Sequence, residues 1–504
     1  MNHYRCANTA RLQTFITNIL TTNKRIFMKN LMRLLLCCCL FMSSRAMADI
    51  PYPNKVSGVV TCKGKGLQGV VVTDGFDVVQ TDAKGRYELP MNRGARFVYL
   101  SSPAGYLVPT EGSHVSFYKR LKDGGNKYDF ELTKNPKNDF NHVVVAQADV
   151  QVTSEEQLGL YQKYADKAGP FVKDFAQGRD AFVLDCGDLV GNSPSLYPRY
   201  LEVSASLGMP VYRMVGNHDM ELEGRSFEHS YRTYEDYFGP IYYSFNRGKA
   251  HYIVLDNCFY INRDYRYIGY IDERTLQWME KDLALVPKDH VLFVAMHIPA
   301  SSTKEIKFNA LLPDETNNVK SLFEMVKDYD THIITGHTHT NGNVVFNDRL
   351  MEHNTAAVCA GFWRSPLCSD GTPQGFGLYE VNGNKVTWRF KAVDHPLDFQ
   401  FKAYAPGASK EYPNEIIANV WNWDELWKVE WYENGKRMGE MEHCTGLDPG
   451  AVEAFADREK MEAAWVDAFP TEHLFKALPK NKQARIEVVV TDRFGNVYKQ
   501  VVKK

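Results

Sequence analysis

The residues best suited to chemistry fall in five short clusters, each following an apolar run. Residues 143–148 lead into Asp149-Val150-Gln151, residues 181–186 into Gly187-Asp188, and residues 211–215 into Gly216-Asn217-His218-Asp219. Residues 291–296 lead into His297, and residues 331–335 into Gly336-His337-Thr338-His339. Carboxylate, amide oxygen and imidazole are intermediate-to-hard ligands suited to Mn, Fe, Mg or Zn, and no thiolate stands among them to select a softer ion. Two divalent cations ~3.5–4 Å apart need a shared ligand, which one carboxylate can supply. Gly187, Gly216 and Gly336 would allow tight turns and a close approach of backbone to the ions. Any one cluster alone would read as a turn or an interior histidine. Five in order, each at a strand end, point to one metal centre.

The elements that must position these clusters alternate between strand-like and helical patterns from about residue 139 to 380, which argues for an α/β region. Ser154-Glu155-Glu156-Gln157 matches a capping box opening a helix toward Phe175. Leu276, Met279 and Leu283 recur at helical spacing, and residues 318–326 form another helical stretch. In an open α/β sheet ligands gather outside the carboxyl ends of the strands, so the five clusters should converge on one rim.

The flanks read differently. Residues 49–135 hold short strand-like runs at 56–62, 69–73, 85–89 and 96–100, separated by Lys63-Gly64-Lys65-Gly66, Asp74-Gly75 and Asp82-Ala83-Lys84-Gly85, the spacing of a small β-sandwich. Residues 381–504 are again β-like, with turn signals at Asn382-Gly383, Asn434-Gly435 and Phe494-Gly495-Asn496. Trp421, Trp423, Trp427 and Trp431 cluster there and are expected to pack between β layers rather than form a ligand platform.

Residues 1–48 have the character of a leader. Met28-Lys29-Asn30-Leu31-Met32-Arg33 is basic, residues 34–42 are apolar, and Ala46-Met47-Ala48 is a small-residue exit, the parts of a secretory signal over residues 28–48. The apolar run is too short to span a bilayer, which needs about 20 residues. The expected location is therefore exported, periplasmic or in the cell envelope, with no transmembrane span once the signal is removed. Cys359 and Cys368 are close enough in sequence to pair, but two buried thiols are the expected state. The net charge of -2 gives no global field for nucleic acid or anionic membrane, so recognition of any anionic ligand must be local.

On these five motifs, residues 140–380 resemble the calcineurin-like metallophosphoesterase superfamily. The flanks resemble bacterial members with an N-terminal β-sandwich of immunoglobulin or transthyretin type and a C-terminal β-rich domain. Ser369-Asp370-Gly371-Thr372-Pro373-Gln374-Gly375-Phe376 is similar to their junction between core and C-terminal domain. The resemblance implies a sandwich of mixed sheets flanked by helices. It implies one metal held by Asp149, Gln151, Asp188 and His339, and a second by Asp188, Asn217, His297 and His337. It gives His218 the role of proton donor, oriented by Asp219. Gln151 departs from the commoner Asp-x-His pattern, exchanging an imidazole for a harder amide oxygen, which favours Mn.

The implied reaction is hydrolysis of a phosphate ester by a hydroxide activated by two metals, with a phosphomonoester as the first choice. A phosphodiesterase or nucleotide pyrophosphatase on the same site is the near alternative, and a catalytically idle exported binding protein the distant one. The substrate would be a phosphorylated small molecule, lipid or nucleotide. Trp363 and Arg364, following the last motif, are candidates to contact it.

Overall fold

The computed structural model describes residues 54–122, 125–304, 306, 311–461, 466–481 and 483–502. The leader expected over residues 1–48 lies outside them.

Two mixed sheets form the central region. One has seven strands in the order Lys385–Ala392, Gly375–Asn382, Asn141–Gln147, Asp180–Asp185, Val211–Arg213, His114–Val115 and Thr110–Glu111. The other has six, in the order Tyr243–Arg247, Ala250–Val254, Val291–Ala295, Asp330–Thr335, Leu350–Asn354 and Gly342–Asn347. The strands feeding the five motifs are parallel to their motif-bearing neighbours: Asn141–Gln147 to Asp180–Asp185, that strand to Val211–Arg213, and Val291–Ala295 to Asp330–Thr335. Three motifs thus leave one sheet and two leave the other. The expectation of a single rim needs correcting: the clusters meet where the ends of two sheets adjoin.

These strands are apolar on both faces, as parallel strands covered on both sides must be. Val143 and Val145 join the core shared with Leu158, Tyr161 and Val172 of the first helix. Val144 and Ala146 face the other way, into the core shared with Tyr252, Val254 and Phe293 of the six-stranded sheet. Phe182 meets Tyr252 there edge to face at 5.1 Å.

The helix Glu155–Ala176 begins where the capping box placed it. Ser154 is extended and its hydroxyl accepts the Gln157 N–H, while Gln157 Oε1 accepts the N–H of Thr153 at 2.7 Å rather than that of Ser154. The helices Glu273–Leu283 and Val319–Val326 occupy the other two helical stretches.

The N-terminal region pairs Lys55–Cys62 with Arg86–Pro90 in one sheet and stacks Val71–Thr73 and Phe97–Ser101 in another. Its strands Thr110–Glu111 and His114–Val115 extend the seven-stranded core sheet. At the other end, the hairpin Gly375–Asn382/Lys385–Ala392 also belongs to that sheet, so core pairing runs to residue 392, past the boundary expected at 380. A turn signal at Asn382-Gly383 marks the hairpin tip, not a domain border.

The C-terminal region holds two four-stranded antiparallel sheets. Trp427 and Trp431 are buried between them and Trp423 packs against the same core, while Trp421 joins Cys359, Cys368 and Phe390. The cysteines among the described residues are free thiols, with Cys359 and Cys368 buried.

Candidate metal centre

Asp149, Asp188 and His297 present ligand atoms that all lie within 4.8 Å of one another, and all three side chains are buried. Around His297 Nε2 stand Asn217 Oδ1 at 3.0 Å, His337 Nδ1 at 3.3 Å and Asp188 Oδ1 at 3.4 Å. On the other side, His339 Nε2 lies 3.6 Å from Asp149 Oδ1, and Gln151 Nε2 donates to Asp188 Oδ2 at 3.3 Å. Asp188 therefore stands between both groups, where a shared ligand would be.

The backbone here is unusual. Asp149, Gln151, Asp188, His337 and His339 have left-handed φ values of 55°, 44°, 54°, 73° and 53°. Non-glycine residues in that region are uncommon and carry strain that persists only where surroundings over-determine it. The main chain is held accordingly. Asp149 N donates to Gly187 O, Gln151 N to Asp188 O, and His337 N to the Asp149 carboxylate at 2.9 Å. Gly216 is needed for space: an added Cβ would lie 2.1 Å from Asp188 N. Gly187 has a φ of +85°, and Gly336 abuts Ala148 and the Asp149 carboxylate.

Burial and mutual charge set the protonation of the cluster. Burial, reinforced by the neighbouring Asp188, pushes the Asp149 carboxyl well up. Burial also acts on Asp188, but the His297 and His218 imidazoles outweigh it and hold that carboxyl below its usual range. Burial disfavours a charged His297, yet Asp188 and Asp149 raise it to about 9. His339 is pushed down to about 3, chiefly by burial, and His337 is lowered for the same first reason. Two neutral imidazoles with lone pairs to offer, beside two buried carboxylates, are a donor set fit for divalent cations.

His218 is half-buried at the edge of this cluster, its N–H donating to Asp188 Oδ1 at 2.8 Å. Asp219 does not orient its ring, which corrects the role the resemblance gave it. The Asp219 carboxylate accepts instead from Gly216 N at 2.9 Å, Leu189 N at 3.1 Å, Val190 N at 3.3 Å and the Tyr197 hydroxyl at 3.1 Å. It ties two motif loops together, and burial raises its carboxyl to about 7.

Trp363 and Arg364 also have contacts other than those expected. The Trp363 indole N–H donates to Val150 O at 3.0 Å, buttressing the backbone between Asp149 and Gln151. Arg364 lies 3.9 Å from Glu156. The neighbour that reaches the site is Phe362, stacked on His339 with ring centres 4.5 Å apart. Cys359 Sγ is 3.7 Å from His339 Nδ1, Asp314 Oδ1 is 3.3 Å from His337 Nε2, and Tyr267 stands edge-on to His337 at 6.3 Å. None of these four sits in a motif; Phe362 is marked only by its place beside Trp363, and Cys359 stood out in the sequence only as a possible disulfide partner.

A mixed-sheet sandwich with carboxylates, an amide and imidazoles gathered at its strand ends defines a metallophosphoesterase. The chain belongs to the calcineurin-like phosphoesterase family: residues 142–341 match the model for calcineurin-like phosphoesterase, residues 54–135 that for its N-terminal domain and residues 352–498 that for its C-terminal domain. It is thus a phosphoric ester hydrolase by family. Comparison with curated proteins returned no match.

Among solved structures, the chain is similar to a dimetal phosphatase from Danio rerio (13% identity, TM-score 0.36, covering 50% of this chain and 96% of that one). It is also similar to a purple acid phosphatase from yellow lupin (13%, 0.38, 66% and 68%). A third is a 5'-nucleotidase from Candida albicans (12%, 0.31, 52% and 53%).

Proposed function

We propose that this chain hydrolyses phosphomonoesters with two divalent cations, Mn favoured. One would be held by Asp149, Asp188 and His339 with Gln151 beside them, the other by Asp188, Asn217, His297 and His337. The observation that carries the reading is the convergence of Asp149, Asp188 and His297 within 4.8 Å, at the ends of strands from both sheets. When bound, such cations lower the pKa of a water and draw charge from phosphate oxygens.

The chain's own residues supply the rest. His218 is tied through its backbone to Asp188, so its ring is held beside the shared ligand. Its Nδ1 is buried and has no hydrogen-bond partner among the described residues, which leaves Nε2 to meet a leaving group. Negative charge gathers on the departing oxygen, and an imidazolium there can protonate it. Phe362 and Tyr267 wall the two histidines of the last motif with aromatic surface, excluding water from their flanks.

Gln151 as placed gives its amide nitrogen to Asp188, so ligation through Oε1 requires the amide to turn. The signal-like leader over residues 28–48 supports action after export, in the periplasm or cell envelope. Among the described residues, no helix is long and apolar enough to cross a membrane.

The test is a panel of p-nitrophenyl phosphate, bis-p-nitrophenyl phosphate and a nucleoside diphosphate, assayed with added Mn on wild type and Asp188→Ala. The monoester should turn over fastest in wild type and not in the variant. Faster cleavage of the diester or the diphosphate would reassign the substrate class, and equal rates in Asp188→Ala would remove the site.

A further inference from the structure

We propose that the C-terminal β region positions the loop bearing His337 and His339 through the buried carboxylate of Asp370, which makes Asp370 a positioning residue for the cation site. The inference rests on the two-cation reading above.

His337 and His339 both have left-handed backbone, so their loop needs an external hold. Two residues beyond His339, the Asn341 N–H donates to Asp370 Oδ2 at 2.7 Å. The same oxygen accepts from the Thr372 hydroxyl at 2.8 Å and faces His473 Nε2 at 3.1 Å, while Oδ1 accepts the Thr372 N–H at 2.9 Å. Asp370, Asn341 and His473 are all buried. Removing a carboxylate from water costs several kcal/mol, about what good pairing must return. Apolar packing would join two domains without that cost, so the carboxylate marks a need for direction.

The far side of the link belongs to the C-terminal region. The Asn419 amide nitrogen donates to Asp370 O and to Asp448 Oδ2, both at 2.8 Å, so its oxygen must be the atom facing His473 Nδ1 at 2.6 Å. Both His473 nitrogens thus face oxygen atoms, and the ring bridges Asn419 and Asp370. Gly371 has a φ of +82°, and an added Cβ would lie 2.2 Å from Asp448 Cγ, so the junction segment and the C-terminal region touch at backbone distance.

A second branch reaches the first motif. Asn341 Nδ2 donates to Trp421 O at 2.6 Å and its Oδ1 accepts from Ala356 N at 3.3 Å. Just beyond Ala356, Val358 N and Cys359 N donate to Ala148 O and Asp149 O. The network therefore ends on the backbone of Asp149 from one sheet and, from the other, on Asn341 two residues past His339.

The experiment measures Mn binding by calorimetry and the paramagnetic resonance of bound Mn, on the full chain and on three variants. Wild type should bind two Mn with the signature of a coupled pair. Asp370→Asn should weaken binding about 10–100-fold and lose the coupled signal, the range typical when a ligand's outer support is removed. Trp427→Phe, which loosens the C-terminal core away from this network, should lower thermal stability and keep wild-type affinity.

Wild-type Mn affinity in Asp370→Asn, or an equal loss in Trp427→Phe, would overturn the proposal. If Asp370→Asn does not fold, His473→Gln decides. It removes the imidazole that joins Asp370 Oδ2 to Asn419 of the C-terminal region and leaves the loop's own residues unchanged, and weakened binding supports the proposal while unchanged binding ends it. A wild type that binds no Mn would end the cation site itself, and this inference with it.

Discussion

At the scale of single residues, His218 and Asp188 share a loop contact but have separable consequences. His218 touches Asp188 only through its backbone N–H, so replacing its ring leaves the ligand cluster in place. His218→Ala should lower kcat by ~10²–10⁴, the usual contribution of a positioned acid, with Mn stoichiometry unchanged. Metal analysis beside single-turnover rates checks both halves, and loss of Mn in the variant would refute the assignment. Gly216 makes the converse case. Its would-be Cβ lies 2.1 Å from Asp188 N and 2.2 Å from Oδ1, so Gly216→Ala must displace the Asp188 carboxylate. Calorimetry should find Mn binding lost or much weakened although no ligand is changed. An alanine variant with wild-type affinity would show that the loop can yield.

At the scale of elements, the helix Glu155–Ala176 follows the first motif and packs Leu158, Tyr161 and Val172 against the seven-stranded sheet. Its start is set by Ser154, whose hydroxyl takes the Gln157 N–H at 3.3 Å. Ser154→Ala leaves that donor without its cap and should cost about 1 kcal/mol. Amide exchange is the suitable measurement: faster exchange confined to residues 155–158 is expected, and unchanged protection there would show that the Thr153–Gln157 bonds suffice. Further along, Pro170 lacks an N–H and so leaves the Asp166 carbonyl without its helical donor. Gly169 beside it lets the helix approach Leu207 O, which a Cβ would meet at 2.8 Å.

At the scale of the whole molecule, His142 joins the two sheets. Its Nδ1 donates to Asp139 O at 2.7 Å, and its Nε2 accepts from the Tyr252 hydroxyl on the six-stranded sheet. Burial pushes this imidazole down to about 4 from an ordinary value near 6.5. Its contribution is therefore complete above pH ~6.5 and is lost as pH falls from there toward about 4, because the unfolded chain then binds a proton the folded one refuses. Buried carboxyls act in the opposite sense. Glu352, raised to about 7 by burial, favours the folded chain as pH falls through that value. The difference between wild type and His142→Asn isolates the histidine. Their gap in urea stability should narrow by up to about 1.4 kcal/mol per pH unit between pH 6.5 and 4. A constant gap across that window would sink the claim.

What could be read from the chain alone was set by local chemistry. Apolar runs ending in Asp149, Asp188, Asn217, His297 and His337 declared strands with candidate ligands at their tips, because buried polar side chains are costly unless they find partners. The capping box gave the start of the first long helix, because that signal is contained in four adjacent residues. Other features depend on residues distant in sequence. Nothing near Asp219 indicates that its carboxylate closes on Leu189 and Val190, and nothing near Trp363 that its indole binds Val150 while Phe362 takes the place beside His339. The hairpin reaching residue 392 carries the same alternation whether it ends a core sheet or begins a new domain; only its pairing with Asn141–Gln147 decides. Residue types and short spacings determined which groups could hold a cation. Tertiary packing decided which of them meet and in what order around Asp188, since the energy of each contact depends on a partner as much as two hundred residues away.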